Sequence, residues 1–173
     1  MTKTDLFIKE IARQCEFVLL AAKGLDESVK NNDSQNGFFF IQALLTAGAN
    51  ISKLFWAVDT NKQGRIERQK LRGLFGIDEY SLTTDRKMRN HFDHFDERLD
   101  DWWNINPSRR MFIDSNFGMS VGGDAVKKSD FLRNYDFKTA TVNFGSDSFN
   151  TKAMAAEAWR IFNICKKYES ENQ

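Results

Sequence analysis

Phe7, Ile11, Cys15, Val18, Ala22, Leu25 and Val29 recur at spacings of three and four. That period lines one face of a 3.6-residue helix and does not suit a strand, whose side chains alternate. It predicts a first helix of about seven turns, with Thr4 as its cap and Asp5 in its first turn. Asn31-Asn32-Asp33 ends it. A helix this long with a single apolar stripe must lay that stripe against something, so the chain is committed early to helix-on-helix packing. There is one proline in 173 residues, so little else interrupts long helices.

The same period continues. Ser34 is the next cap candidate, and a second helix is expected from about Gln35 to Val58, with Phe38, Ile41, Leu44, Leu45, Ile51 and Phe55 on its apolar face. Ala47-Gly48-Ala49 leave room for a close neighbour. Asn50 and Ser52, beside and within that face, read as a satisfied polar pair in the core. Asp59 to Gly64 is a loop. A short basic helix, Arg65 to Phe75, follows. After the loop Gly76 to Leu82, Ser81 or Thr84 caps a fourth helix ending near Trp103. Ser148 or Asn150 caps the last, Thr151 to about Glu169, with Met154, Ala158, Ile161, Phe162, Cys165 and Tyr168 as its stripe.

Between Pro107 and that last helix the pattern changes. Arg109 to Asp114 reads as a short strand, Phe117 to Asp124 as a glycine-rich turn region, and Asn134 to Phe144 as strand, being rich in Thr, Val and aromatics. Two or three antiparallel strands are expected. Gly122-Gly123 is a turn and not a phosphate loop, since no Lys-Ser or Lys-Thr pair follows at the needed offset. The expected fold is mainly α. It is an up-and-down helical bundle of four long helices and one short one, residues 4–103 and 150–170, with a small antiparallel β-insertion at 108–146. It forms a single domain over 1–173.

Charged residues are 28% and apolar ones 41%, a balance that sets aside disorder, and the net charge of +1 sets aside a global basic field. Any anion binding must therefore be local. Cys15 and Cys165 fall on apolar stripes near opposite ends of the chain, which favours two core thiols over a disulfide. No secretory signal is visible, and the longest apolar run, Phe38 to Leu45, is interrupted by Gln42. The expectation is a cytoplasmic protein with no membrane partner.

One segment gathers the reactive chemistry. Residues 86 to 103 hold both histidines of the chain, His91 and His94. On a helical wheel, Met88, Phe92, Phe95, Leu99, Trp102 and Trp103 fall within an arc of roughly 100°, while Arg86, Arg89, Asn90, Asp93, Asp96, Glu97 and Asp100 fall opposite. His94 joins the polar face and His91 sits at the edge of the apolar one. The plain reading is a solvated face with pairs such as Arg89–Asp93. A metal site is a second reading. His91 and His94 lie about 60° apart on the wheel and supply two ligands where zinc needs three or four, so aspartates such as Asp93 would have to complete it. The third reading is histidine with arginine on a phosphodiester. A histidine can take the proton from a 2′-hydroxyl or give one to the leaving 5′-oxygen. An arginine can hold the phosphate and the extra charge of the transition state. Neither a metal nor another cofactor is then required. One such pair is half of a two-proton site, so a two-fold dimer through this helix would complete it.

The run Arg89-Asn90-His91-Phe92-Asp93-His94 resembles the Arg-x4-6-His motif of the HEPN superfamily, in which a polar residue follows the arginine, as Asn90 does here. Arg86-x4-His91 matches in a shifted register, but Lys87 follows Arg86. The resemblance implies a four- or five-helix bundle that dimerises around paired motifs. It implies a metal-independent endoribonuclease in a toxin or phage-defence role, with RNA as substrate and an antitoxin or other partner protein, or else a non-catalytic module that binds a protein or nucleotide. It assigns His94 as general acid or base, Arg89 as the phosphate binder and Asn90 as the orienting group. Arg86, His91 and Asp93 support them. Arg65, Arg68, Arg109 and Arg110 are the candidates for a local phosphate-contacting rim, needed because Asp93, Asp96, Glu97, Asp100 and Asp101 repel phosphate.

Overall fold

In the computed structural model the described residues are 2–57, 61–78, 95–104, 113–119, 126, 130–144 and 147–172. Among them the chain is mainly helical. α1 spans Lys3–Lys30, α2 Ser34–Phe55, α3 Lys62–Phe75, α4 Phe95–Asn104 and α5 Thr151–Glu171, with a small sheet of β1 Ile113–Gly118, β2 Phe131–Asp136, β3 Thr141–Phe144 and β4 Asp147–Asn150 before the last helix.

The helix starts are set by side chains that satisfy orphan backbone N–H groups. α1 begins one cap earlier than expected. Thr2, not Thr4, accepts from the Asp5 backbone at 3.2 Å, and the Asp5 carboxylate accepts from the Thr2 backbone at 2.6 Å, a reciprocal capping box. Asp33, not Ser34, caps α2. Asn61 caps α3, so the expected 59–64 loop gives way to helix from Lys62. Asn150 caps α5, as one of its two candidates.

α1 packs chiefly against α2 and α5 and lies between them. Ile11, Cys15 and Val18 of α1, Ile41, Leu44, Leu45 and Phe55 of α2, and Ile161 and Cys165 of α5 are all fully buried. Burying side chains of this size contributes about 1.5–3 kcal/mol each, so this three-helix layer carries most of the core. Gly24 permits the α1–α2 approach, since a Cβ there would lie 2.5 Å from the Phe40 ring. α3 is joined to the layer by Phe75, edge-on to Phe55 at 5.3 Å. Two arginines then finish helix ends, where carbonyls lack partners. Arg72 Nη1 donates to the Phe55 carbonyl at 2.8 Å, and Arg160 Nη1 donates to the Phe75 carbonyl at 2.8 Å.

Both cysteines are buried free thiols. Burial pushes Cys165 up to about 12 and Cys15 higher still, so neither offers a thiolate at neutral pH. Asn50 donates to Gln14 at 3.2 Å, but Ser52 Oγ is buried with no hydrogen-bond partner among the described residues, so the expected satisfied pair holds only for Asn50. Against the expectation that nothing approaches a membrane span, α2 is long and apolar enough to cross one, with half of its apolar window buried inside the fold.

The sheet departs most from expectation. It has four strands in the order β1-β2-β3-β4, and β1 runs parallel to β2. Only β2–β3 and β3–β4 are antiparallel. The first strand is described from Ile113, the expected start at Arg109 lying outside the described residues, and it takes Phe117 and Gly118 out of the expected turn. Asn134 to Phe144 is not one strand but the end of β2, a turn and β3. The turn is built by Asp136, whose carboxylate accepts from the Lys138 backbone at 2.8 Å, and by Ala140, which adopts a left-handed φ of 50°. β4 lies beyond the expected boundary at 146.

Register explains how the sheet attaches. Phe117, Tyr135, Val142 and Phe149 are cross-strand partners in one row on one face. That row meets the helices: Phe117 lies 5.6 Å from Phe38 of α2 and its ring covers Gly37, where any Cβ would collide with it. The β4–α5 junction is bolted to the β2–β3 hairpin. Thr151 donates from its backbone and its hydroxyl to the Ala140 carbonyl, at 2.9 and 3.1 Å, and the Tyr135 hydroxyl meets Thr151 Oγ1 at 3.1 Å.

Candidate functional site

Arg86, Arg89, Asn90, His91, Asp93 and His94 lie outside the described residues, as do Arg109 and Arg110. The described residues that bear on this reading are those of α4, which follows the motif in sequence, and of the basic helix α3.

α4 supplies the C-terminal end of the motif segment. Half of its ten residues are charged: Asp96, Glu97, Arg98, Asp100 and Asp101. Its carboxylates are all exposed. Among its described members the expected burial of the aromatic stripe is not found: Leu99 is 36% and Trp103 61% exposed, and Trp102 is only partly covered. The stripe is there in sequence, but an amphipathic period says nothing of whether a partner element reaches it. A tie to the rest of the fold comes from Arg98, whose Nη2 lies 3.9 Å from the Asp147 carboxylate of β4. Such a contact between partly exposed groups contributes little to stability.

α3 carries the two described rim candidates. Arg65 is exposed and makes no ion pair among the described residues. Arg68 is used differently. Its guanidinium lies 3.7 Å above the Phe7 ring, half-buried between α3 and α1. Burial pushes its pKa down, with Glu67 opposing, although an arginine keeps its charge at neutral pH. It can still face an anion with its outer edge, but part of its binding capacity is spent on packing. Lys3, Arg68 and Lys70 border a cleft of about 320 Å³ between the start of α1 and α3. Lys3 is held there by Glu67 at 2.6 Å. Arg72, the remaining α3 arginine, lies 3.9 Å above Trp56 and faces inward to cap α2. So the basic run that reads as one rim in sequence divides into exposed cations, Arg65 and Lys70, and packing arginines, Arg68 and Arg72. No group of three or more His, Cys, Asp or Glu able to hold a metal occurs among the described residues.

One feature that motif reasoning missed is apolar. A groove of about 590 Å³ runs between α1 and α2, lined by Phe17, Leu20, Phe39 and Phe40 over a floor of alanines. Its signal in sequence was the charge of α2, a single Lys53 in 22 residues. Compared with family models, with curated proteins and with solved structures, the chain matches none.

Proposed function

We propose that the chain is a metal-independent endoribonuclease of HEPN type, with Arg89, Asn90 and His94 as its site and RNA as its substrate. The observation that carries this reading is the run Arg89-Asn90-x3-His94, in a segment that holds both histidines of the chain and continues into the charged helix α4. The mainly helical fold is compatible with it. His94 takes the proton from a 2′-hydroxyl, the 2′-oxygen attacks phosphorus, and the bond to the 5′-oxygen breaks, leaving a 2′,3′-cyclic phosphate and a 5′-hydroxyl. The leaving oxygen needs a proton in return, and the histidine of a second copy, paired through the motif helix, supplies it. Arg89 holds the phosphate and the added charge of the transition state. Asn90 orients the pair, Arg86, His91 and Asp93 support it, and Arg65, Arg68, Arg109 and Arg110 hold flanking phosphates. Such an enzyme acts in the cytoplasm as a toxin or in phage defence, held in check by an antitoxin or another partner protein.

A second reading has its own observation. The exposed carboxylates of α4, Asp96, Glu97, Asp100 and Asp101, repel a phosphate backbone. That favours a HEPN-like module that binds a partner protein and cleaves nothing.

One experiment separates them. Purified protein is incubated with mixed single-stranded and transfer RNA in EDTA, beside His94→Ala and Arg89→Ala. The ribonuclease reading expects cyclic-phosphate ends from wild type and a loss of about 10²–10⁴-fold in each variant, with the fold intact by circular dichroism. Cleavage that stops in EDTA sinks the metal-free mechanism. No cleavage by wild type over a broad RNA set favours the binding module.

A further inference from the structure

Arg68 is held in place by the fold but given nothing to bind. Its guanidinium lies 3.7 Å above the Phe7 ring, half-buried between α3 and α1. Among the described residues it donates no hydrogen bond and makes no ion pair. The other two arginines set into this side of the fold differ. Arg72, over Trp56, donates to the Phe55 carbonyl, and Arg160 donates to Glu157 and to the Phe75 carbonyl. Five N–H donors on a half-buried guanidinium are costly to leave unmatched. Burial already pushes the Arg68 pKa down, as expected of a charge with too little compensation.

Arg68 lines the cleft of about 320 Å³ between the start of α1 and α3, and Lys3 and Lys70 line it too. Glu67, the one carboxylate in that lining, is taken by Lys3 at 2.6 Å. Lys70 makes no ion pair among the described residues. The cleft therefore holds cations in excess, one of them a guanidinium fixed by stacking before any ligand arrives.

We propose that this cleft is a receptor for a phosphomonoester, with Arg68 gripping the phosphate oxygens and Lys70 and Lys3 adding charge. A guanidinium fork fits a carboxylate or a phosphate equally well in shape. Charge decides between them. Three cations against one carboxylate leave two charges unbalanced. A phosphomonoester carries about −1.5 to −2 at pH 7, whereas a carboxylate or a backbone diester carries one. The size agrees, since ligand pockets begin at about 300 Å³. Phe7, Leu71 and Leu74 add apolar wall for part of the group that bears the phosphate. Two sources present this chemistry, a free nucleoside monophosphate and the 5′ end of a nucleic-acid strand. The inference goes beyond the ribonuclease reading, in which Arg68 meets only a backbone phosphate, and it needs neither Arg89 nor His94.

The test is titration calorimetry on the full chain with three probes: a single-stranded oligodeoxynucleotide with a 5′-phosphate, the same strand with a 5′-hydroxyl, and adenosine 5′-monophosphate. DNA lacks the 2′-hydroxyl, so cleavage does not enter the measurement. The expected result is that wild type binds the 5′-phosphate strand about 10-fold or more tighter than the 5′-hydroxyl strand, or binds adenosine 5′-monophosphate directly. The monophosphate binding as tightly as the strand names the free ligand as the source; the strand binding tighter names the chain end. Arg68→Met, which keeps the stem over Phe7, should abolish the phosphate-dependent binding, and Lys70→Ala should weaken it. Lys62→Ala, a cation of the same helix outside the cleft, should not change the preference for phosphate. No phosphate-dependent binding by wild type overturns the proposal, as does binding that survives Arg68→Met in a protein folded by circular dichroism. Lys70 is exposed, so its variant folds in any case, and unchanged binding there also overturns the proposal. A cleft that holds phosphate in a protein that cleaves no RNA removes the ribonuclease and leaves the receptor standing.

Discussion

α2 and α4 are both aromatic-rich helices with a clear apolar stripe, and the fold treats them in opposite ways. α2 has one charged residue and buries one face, with Ile41, Leu44, Leu45, Ile51 and Phe55 covered by its neighbours. α4 has five charged residues in ten and no buried position among its described side chains. An amphipathic period is thus a statement about a helix and not about its surroundings. α2 is covered because α1 precedes it by a short turn and must fold back on it. Among the described residues no element joined to α4 by a short turn covers it.

The comparison is most easily broken by removing an aromatic from each helix. Phe55→Ala should cost about 3–5 kcal/mol, since Phe55 is fully buried and packs edge-on against Phe75. Trp103→Ala in α4 should stay within about 0.5 kcal/mol, as exposed positions do. Urea denaturation of both decides it; equal costs would mean that α4 is as integral to the core as α2. A middle-sized effect is expected from Arg72→Met, which keeps the stem over Trp56 but removes the donor to the Phe55 carbonyl. It should cost about 1.5–3 kcal/mol, the range for a charge-assisted hydrogen bond, and nothing if water caps the end of α2 equally well.

The smallest effect sharpens the contrast from the acid side. The Asp5 carboxyl is held below its ordinary 3.8 by hydrogen bonds from the Thr2 backbone first and the Thr2 hydroxyl next. A carboxylate with a depressed folded-state value stabilises above that ordinary value, and the contribution is lost as pH falls through the folded one. Asp5→Asn should lower stability slightly at neutral pH and flatten its decline below about pH 4, read from thermal midpoints against pH. A parallel, unflattened curve would show that the capping box is not what fails in acid.

How much of this was legible before any coordinates depended on how local the cause was. The stripes of α1, α2 and α5 marked their buried faces because the helical period is set by the chain itself. Residues such as Ile11, Leu44, Leu45, Ile161 and Cys165 fell where the period put them. The candidate site was legible only as residue types in a run, Arg89-Asn90-x3-His94, and of the two described rim candidates Arg65 keeps the exposed character that reading needs while Arg68 does not. Arg68 and Arg72 could not be told from exposed rim cations in sequence, because what distinguishes them is the Phe7 ring and the Phe55 carbonyl brought to them from other helices.

By itself the sequence determined that long helices form, where most of them end, and that a strand-rich segment precedes the last one. Spacing, caps and β-propensity act within a few residues and need no partner. Only the tertiary structure decided that β1 runs parallel to β2, that Thr151 bolts the last helix to the sheet, that the α4 stripe stays exposed, and that α1 and α2 leave an uncharged groove between them. Each of those depends on which distant surfaces meet, and chain-local preferences carry no information about that.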